Sequence, residues 1–155
     1  MDWRESRGHR AHDLTDFSSV TYSHGWKRIL GEERLCSGGS FHRAYCKGAT
    51  VRFEFEGPYS SHLRSDRTHP DIVGSHVWVV GHKSASHGAL KINIDGQPGI
   101  ATIKVWGGEL IPFRNLFEHK FAEPGSHWIE VVNDLSGFEI TIDSFACVLF
   151  LRLSG

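Results

Sequence analysis

The stretch "SASHGALKINIDGQ", Ser84 to Gln97, decides the fold class. Leu90, Ile92 and Ile94 alternate with Lys91, Asn93 and Asp95, which is the period of a strand with one face in a core and the other in water. Asp95-Gly96 follows at once. A two-residue type I′ turn needs positive φ at both central positions, and Asp-Gly is one of the pairs that meets this at low cost. The chain is therefore expected to fold back into a strand over Ile100 to Trp106. His87-Gly88, at the head of the stretch, admits two readings. The ring is a functional group facing a loop-rimmed edge, or it is a corner residue bonded to backbone while Gly88 permits a close approach of the chain.

The same alternation recurs outward from this hairpin. In "ATVRFEFE", Ala49, Val51, Phe53 and Phe55 share one face, while Thr50, Arg52, Glu54 and Glu56 share the other. "FSSVTYSHGW" opens a strand, Phe41 to Tyr45 suggests a short one, and "HVWVV" resumes the pattern at His76. Further strands are expected near Leu116 to Phe121, in "HWIEVVN" with His127, Ile129 and Val131 on one face, and in "GFEITIDSFACVLFLRL" as one long or two abutting strands. Gly57 to Gly74 holds two prolines and no sustained period, and reads as a long loop. No capped apolar stripe of helical spacing occurs. The expectation is an all-β, antiparallel sandwich of about eight to nine strands.

Composition narrows the classes of function. The chain of 155 residues suits one domain, expected over residues 16–155 behind a flexible leader at 1–15. Its 17 basic and 18 acidic residues leave a formal net charge of −1, without the basic stripe that nucleic-acid phosphates require, so nucleic acid is not an expected partner. The longest apolar run, "FACVLFL", is far short of the roughly 20 residues of a membrane helix. "MDWRESRGHRAHD" lacks an apolar secretory core. The expected location is extracellular if a signal peptide was removed, and cytoplasmic otherwise. Three cysteines without C-x-x-C spacing argue against a thiolate metal cage. Cys36 and Cys46 are either bridged or two independent thiols, and Cys147 reads as buried and inert.

Five segments taken in order, "YSHGW", "SGGSFHRAYCKGATVRFEFEG", "VWVVGHKSASHGALKINIDG", "EPGSHWIEVVN" and "FEITIDSF", resemble the galactose-binding-domain-like jelly rolls over roughly Phe17 to Val148. Two features depart from that pattern: Pro58 to Gly74 looks inserted, and Ser86 stands where an acidic residue or asparagine usually precedes His-Gly. The resemblance implies a carbohydrate-binding module or lectin-like domain, with adhesion and structural modules among its relatives. It also implies a possible structural calcium held by Asp143 near the last strand and an acid of the opening segment, Asp13, Asp16 or Glu33.

Fold alone does not carry function, so the residues must. A sugar offers a C–H face that stacks on an aromatic ring and hydroxyls that need fixed polar partners. Trp106, Trp26 and Tyr59 are the candidate rings, each weighed against a packing role. His87, His42, Arg43, Asn115 and Asn133 are the candidate polar partners. Trp78 and Trp128, inside strands, are expected to pack or lie on a sheet face. An alternative is a cyclase- or isomerase-type enzyme that folds an apolar small molecule between the sheets. His87, His42, Glu54 and Asp66 would then be its titratable groups and the long loop its lid. A third class, a structural or protein-interaction domain, predicts an exposed apolar patch. None of G-x-S-x-G, H-E-x-x-H, the P-loop or G-x-G-x-x-G occurs.

Overall fold

A computed structural model describes residues 18–30, 39–56, 71–122 and 125–152. Among the described residues ten strands form: β1 (Ser18–Tyr22), β2 (Trp26–Leu30), β3 (Ser40–Ala44), β4 (Thr50–Glu56), β5 (Asp71–Lys83), β6 (Ala89–Ile94), β7 (Gln97–Lys104), β8 (Ile111–Phe121), β9 (Ser126–Asn133) and β10 (Ile140–Arg152). They form two five-stranded sheets, ordered β1-β4-β9-β6-β7 and β2-β3-β10-β5-β8, and every neighbouring pair runs antiparallel. The fold is an antiparallel β-sandwich of the jelly-roll type. No described helix is long and apolar enough to cross a membrane.

The alternation seen in the sequence is what brings the sheets together. Ala49, Val51, Phe53 and Phe55 of β4, Leu90, Ile92 and Ile94 of β6, and Ile129 and Val131 of β9 face a second set from β5, β8 and β10 that includes Val77, Val79, Leu116, Phe121, Ile140 and Ile142. Val131 sits between Val51 and Ile92 in register, and all three are fully buried. Each side chain of this size contributes about 1.5–3 kcal/mol on burial. Aromatic pairs join the layers: Phe53 stacks on Phe145 at 4.9 Å, and Phe55 meets Phe121 edge-on at 5.5 Å.

Asp95 and Gly96 have φ of 46° and 81°, the left-handed pair that the hairpin demands. Asp95 does more than turn the chain. Its Oδ1 accepts from the Trp128 amide at 2.8 Å, and its Oδ2 pairs with His127 Nδ1 at 2.7 Å, which ties the hairpin tip to β9.

Several strand boundaries differ from expectation. The opening segment is two strands because Gly25, at φ 97°, reverses the chain between Tyr22 and Trp26 and sends them to different sheets. The return strand begins at Gln97 rather than Ile100, and β8 begins at Ile111 rather than near Leu116. β5 already runs from Asp71, so residues 71–74, expected as loop, pair with β10. The leader at 1–15 and the loop residues 57–70 lie outside the described residues. Cys46 is a free, exposed thiol, and Cys36 also lies outside the described residues. Cys147 is buried, and burial pushes its thiol pKa up to about 12, leaving it protonated and unreactive.

Gly81 marks the tightest approach within the second sheet. A Cβ there would lie 2.2 Å from the Thr141 carbonyl oxygen and 2.7 Å from Leu116 Cδ1. The carbonyl is ladder backbone and cannot step aside. Gly81→Ala is expected to destabilise the fold by about 3 kcal/mol or more in urea denaturation. Gly96→Ala has open space and bears only its left-handed φ, so it is expected to lose about 1 kcal/mol.

Candidate functional site

Residues Ser84 to Gly88 join β5 to β6 by a corner held from two sides. On one side Ser84 N donates to Val105 O and Gly107 N donates to Ser84 O, each at 3.2 Å, so Ser84 is bridged to Trp106. On the other, Gly88 N donates to Glu139 O at 3.1 Å and Glu139 N donates to Ser86 O at 3.3 Å, bridging His87 to Glu139. Gly88 has no alternative here. A Cβ on it would lie 2.8 Å from Phe138 Cβ, so the close approach expected from the sequence is present, with Phe138 as the residue approaching.

His87 is 2% exposed. Its Nδ1 meets Ser84 Oγ at 2.5 Å and its Nε2 meets Thr141 Oγ1 at 2.9 Å, so the ring is satisfied by two hydroxyls rather than by backbone. Burial holds its pKa below the ordinary histidine range. The Glu139 carboxylate, 3.6 Å from Nδ1, opposes that shift, while His82 and Arg43 add to it. A neutral imidazole has one donor and one acceptor nitrogen, and a hydroxyl serves either. No part of this ring is offered to a ligand. It is a buried post beneath the corner.

Above the post lies a polar rim. Ser86 Oγ donates to Glu139 Oε1 at 2.8 Å and sits 3.0 Å from Ser84 Oγ. Arg43 Nε faces Glu139 Oε2 at 3.5 Å; neither atom is reached by solvent and neither has another partner among the described residues. Arg43 is nevertheless about one-third exposed, so its exposure lies in the rest of the side chain. Its guanidinium carbon is 5.2 Å from the Tyr45 ring centroid, a cation–π arrangement. The Tyr45 phenol is pushed up by partial desolvation and then by the Glu139 carboxylate, with Arg43 opposing. Tyr45, Phe138 and Trp106 are 50%, 44% and 47% exposed, an unusual share for aromatic rings that all border one corner. Gly107 and Gly108, at φ 131° and 60°, turn the chain away just after Trp106. Lys104 Nζ lies 5.2 Å from the Trp106 ring.

Trp106, His87 and Arg43 are thus brought to one corner. His42 and Trp26 are not. His42 is on the opposite face of β3 from Arg43, stacked on Tyr22 at 4.0 Å with its Nδ1 3.0 Å from the phenol oxygen, and its pKa is lowered by burial and then by Arg28. Trp26 packs against the core beside Tyr22 at 5.4 Å, its Nε1 buried without a hydrogen-bond partner among the described residues. Glu54 lies on the outer face of the first sheet, paired with Arg52 at 2.7 Å, which separates it from His87 as an acid–base partner. Asn133 is fully buried and holds the turn before β10 through Phe138 O and Leu135 N, while Asn115 is exposed on β8. Trp78 and Trp128 are sheet-face residues, Trp78 bonded to Glu118 at 2.9 Å and Trp128 under Arg52 at 3.9 Å. Tyr59, Asp66, Asp13, Asp16 and Glu33 lie outside the described residues. Asp143 accepts from Ser144 Oγ at 3.2 Å, and no group of three or more His, Cys, Asp or Glu among the described residues is arranged to hold a metal ion.

Three features of the rim are absent from the sequence-based expectation: Glu139, Tyr45 and Phe138. A signal existed for two of them. In the sequence pattern Tyr45 alternates with Arg43 and Glu139 with Thr141, although β3 ends at Ala44 and β10 begins at Ile140.

Neither a protein-family model nor a curated protein sequence matches the chain. Solved structures do. The chain has the β-sandwich fold seen in carbohydrate-binding modules. A family 35 carbohydrate binding module from Clostridium thermocellum shares it at a TM-score of 0.50 and 17% identity, covering 83% of this chain and 91% of that one. A Podospora anserina GH26-CBM35 β-(1,4)-mannanase matches 90% of this chain at 0.50 and 11% identity. A Paenibacillus xanthan lyase matches 88% of it at 0.48 and 16%. This chain spans 29% of the mannanase and 12% of the lyase.

Because His87 is held below its unfolded pKa, the unfolded chain takes up a proton where the folded chain does not. Stability is full above about pH 6.5 and declines as pH falls from there toward the folded pKa. His42, His76 and His119, also lowered mainly by burial, act in the same direction. The urea midpoint is expected to be lower at pH 5.5 than at pH 7.5. His87→Gln is expected to be less stable at pH 7.5 and to show a shallower decline; an unchanged slope would exclude His87 as a contributor.

Proposed function

We propose that this protein is a non-catalytic carbohydrate-binding module that takes a glycan at the Ser84–Gly88 corner, with Trp106 as the stacking face and Arg43 as a hydrogen-bond donor. The carrying observation is that Trp106 and Arg43, remote in sequence, are both attached to this one corner, through the Ser84 bridge and through Glu139. A pyranose presents C–H groups to a ring and hydroxyls to polar atoms. A half-exposed indole beside a clamped set of serine, glutamate and arginine answers both needs.

His87 has a different role in this proposal from a ligand contact. It supports Ser84 from below, and the Ser84 and Ser86 hydroxyls in turn support Glu139. Tyr45 and Phe138 add apolar surface at the margin. The carbohydrate-binding-module neighbours are consistent with glycan binding in general. The name of the mannanase makes β-(1,4)-linked mannan a sensible first ligand to test.

A glycan array followed by calorimetry tests the proposal. Trp106→Ala is expected to weaken the best glycan at least tenfold, as loss of about 1.4 kcal/mol of stacking implies, with an unchanged melting temperature. Arg43→Ala is expected to weaken it several-fold. Absence of millimolar binding to any arrayed glycan, or equal affinity in both variants and wild type, would remove the proposal.

A further inference from the structure

β8 carries a bulge near its start. Ile111 is opposite Lys83 and Arg114 is opposite Gly81, so Pro112 and Phe113 together face His82 alone. Phe113 takes a φ of 55°, a left-handed conformation that glycine adopts freely and a bulky residue adopts under constraint. Core packing does not explain a phenylalanine in this position, because Phe113 is 41% exposed. Leu110 and Ile111 beside it are also exposed. A strained backbone that holds an aromatic ring out into water is a reason to look for what the ring meets.

The bulge is continuous with the corner. Ser84 is bridged to Trp106, and its chain neighbour Lys83 pairs with Ile111, so Trp106 and Ile111 flank consecutive residues of one strand end. One inter-strand spacing near 4.8 Å from Ser84 and another from Lys83 put Trp106 and Ile111 within about 13 Å of each other at the backbone, and Phe113 lies two residues farther along β8. Among the described residues β8 is the edge strand of its sheet, so no described strand pairs with that flank. A single sugar ring on Trp106 leaves Phe113 unused.

We infer that Phe113, with Ile111, is a second stacking subsite for the same glycan, and that the ligand is an oligosaccharide chain of several units running from Trp106 along the β8 edge. This rests on the glycan-binding proposal above. The left-handed φ is then the means by which the bulge re-aims one side chain of the edge strand toward the ligand path, where glycine would relieve the strain and remove the ring.

Calorimetry with the cello-, manno-, xylo- and galacto-oligosaccharides of one to six units, on wild type, Phe113→Ala and Phe113→Gly, separates the possibilities. Wild-type affinity is expected to rise about tenfold between the disaccharide and the tetrasaccharide. Both variants are expected to keep the disaccharide affinity and lose that rise. Phe113→Gly is also expected to melt about 2 °C above Phe113→Ala, because only glycine relieves the left-handed strain. Wild-type affinity that is flat with length, or variants that match wild type at every length, would overturn the subsite while leaving the Trp106 site standing. Failure of every sugar to bind wild type would remove the glycan proposal and the subsite with it.

Discussion

The neutral imidazole of His87, hydrogen-bonded at both nitrogens inside the protein, is the constraint on which the corner depends. A charged ring there would be a donor at both nitrogens in a desolvated site, and an absent ring would take from the buried Thr141 hydroxyl its side-chain partner, at about 1–3 kcal/mol, and leave Ser84 Oγ bonded to Ser86 alone. The ring links the end of β5 to β10. From that link a chain of side-chain contacts runs through Ser84 and Ser86 to Glu139 and Arg43, beside the backbone bonds that hold the same corner. The side chain most conspicuous in the sequence as a functional group is thus more important as a support.

The residues that meet the ligand in our proposal have the opposite character. Trp106, Tyr45, Phe138 and Phe113 are large rings left substantially in water. Each is held by something other than its own burial: Trp106 by the bridge to Ser84, Tyr45 by Arg43, Phe138 by the missing side chain of Gly88, and Phe113 by a bulge. Rigid backbone under exposed rings lowers the ordering cost of binding, since little remains to be immobilised.

The fold was largely legible in the sequence because its signal is local. Leu90, Ile92 and Ile94, or Val51, Phe53 and Phe55, declare their buried face within six residues, and Asp95-Gly96 declares its turn within two. The site was legible only in part. Alternation sets Tyr45 with Arg43 and Glu139 with Thr141 in the sequence pattern, but does not tell that β3 pairs with β10, which is what brings the two pairs together. Trp26 and His42 show the converse limit. Trp26 follows a turn-forming glycine and His42 is a polar ring in a short strand, and both invite a binding role, yet β2 and β3 turn them toward the core and Tyr22. Phe113 carries no signal at all in the sequence, because a left-handed φ at phenylalanine runs against its preference.

The place of β10 in the second sheet has a bearing on how the chain is assembled. Of the ten described strands it is synthesised after the other nine, and it lies in the middle of its sheet, between β3 and β5. Until it arrives, β2 with β3 and β5 with β8 are separate ribbons, each with an open strand edge where β10 will pair. The first sheet suffers no such delay, since β9 completes it earlier. A nascent chain therefore passes through a stage with one finished layer and one divided one, and it is during that interval, rather than in the folded protein, that the molecule is most exposed to pairing with the wrong partner.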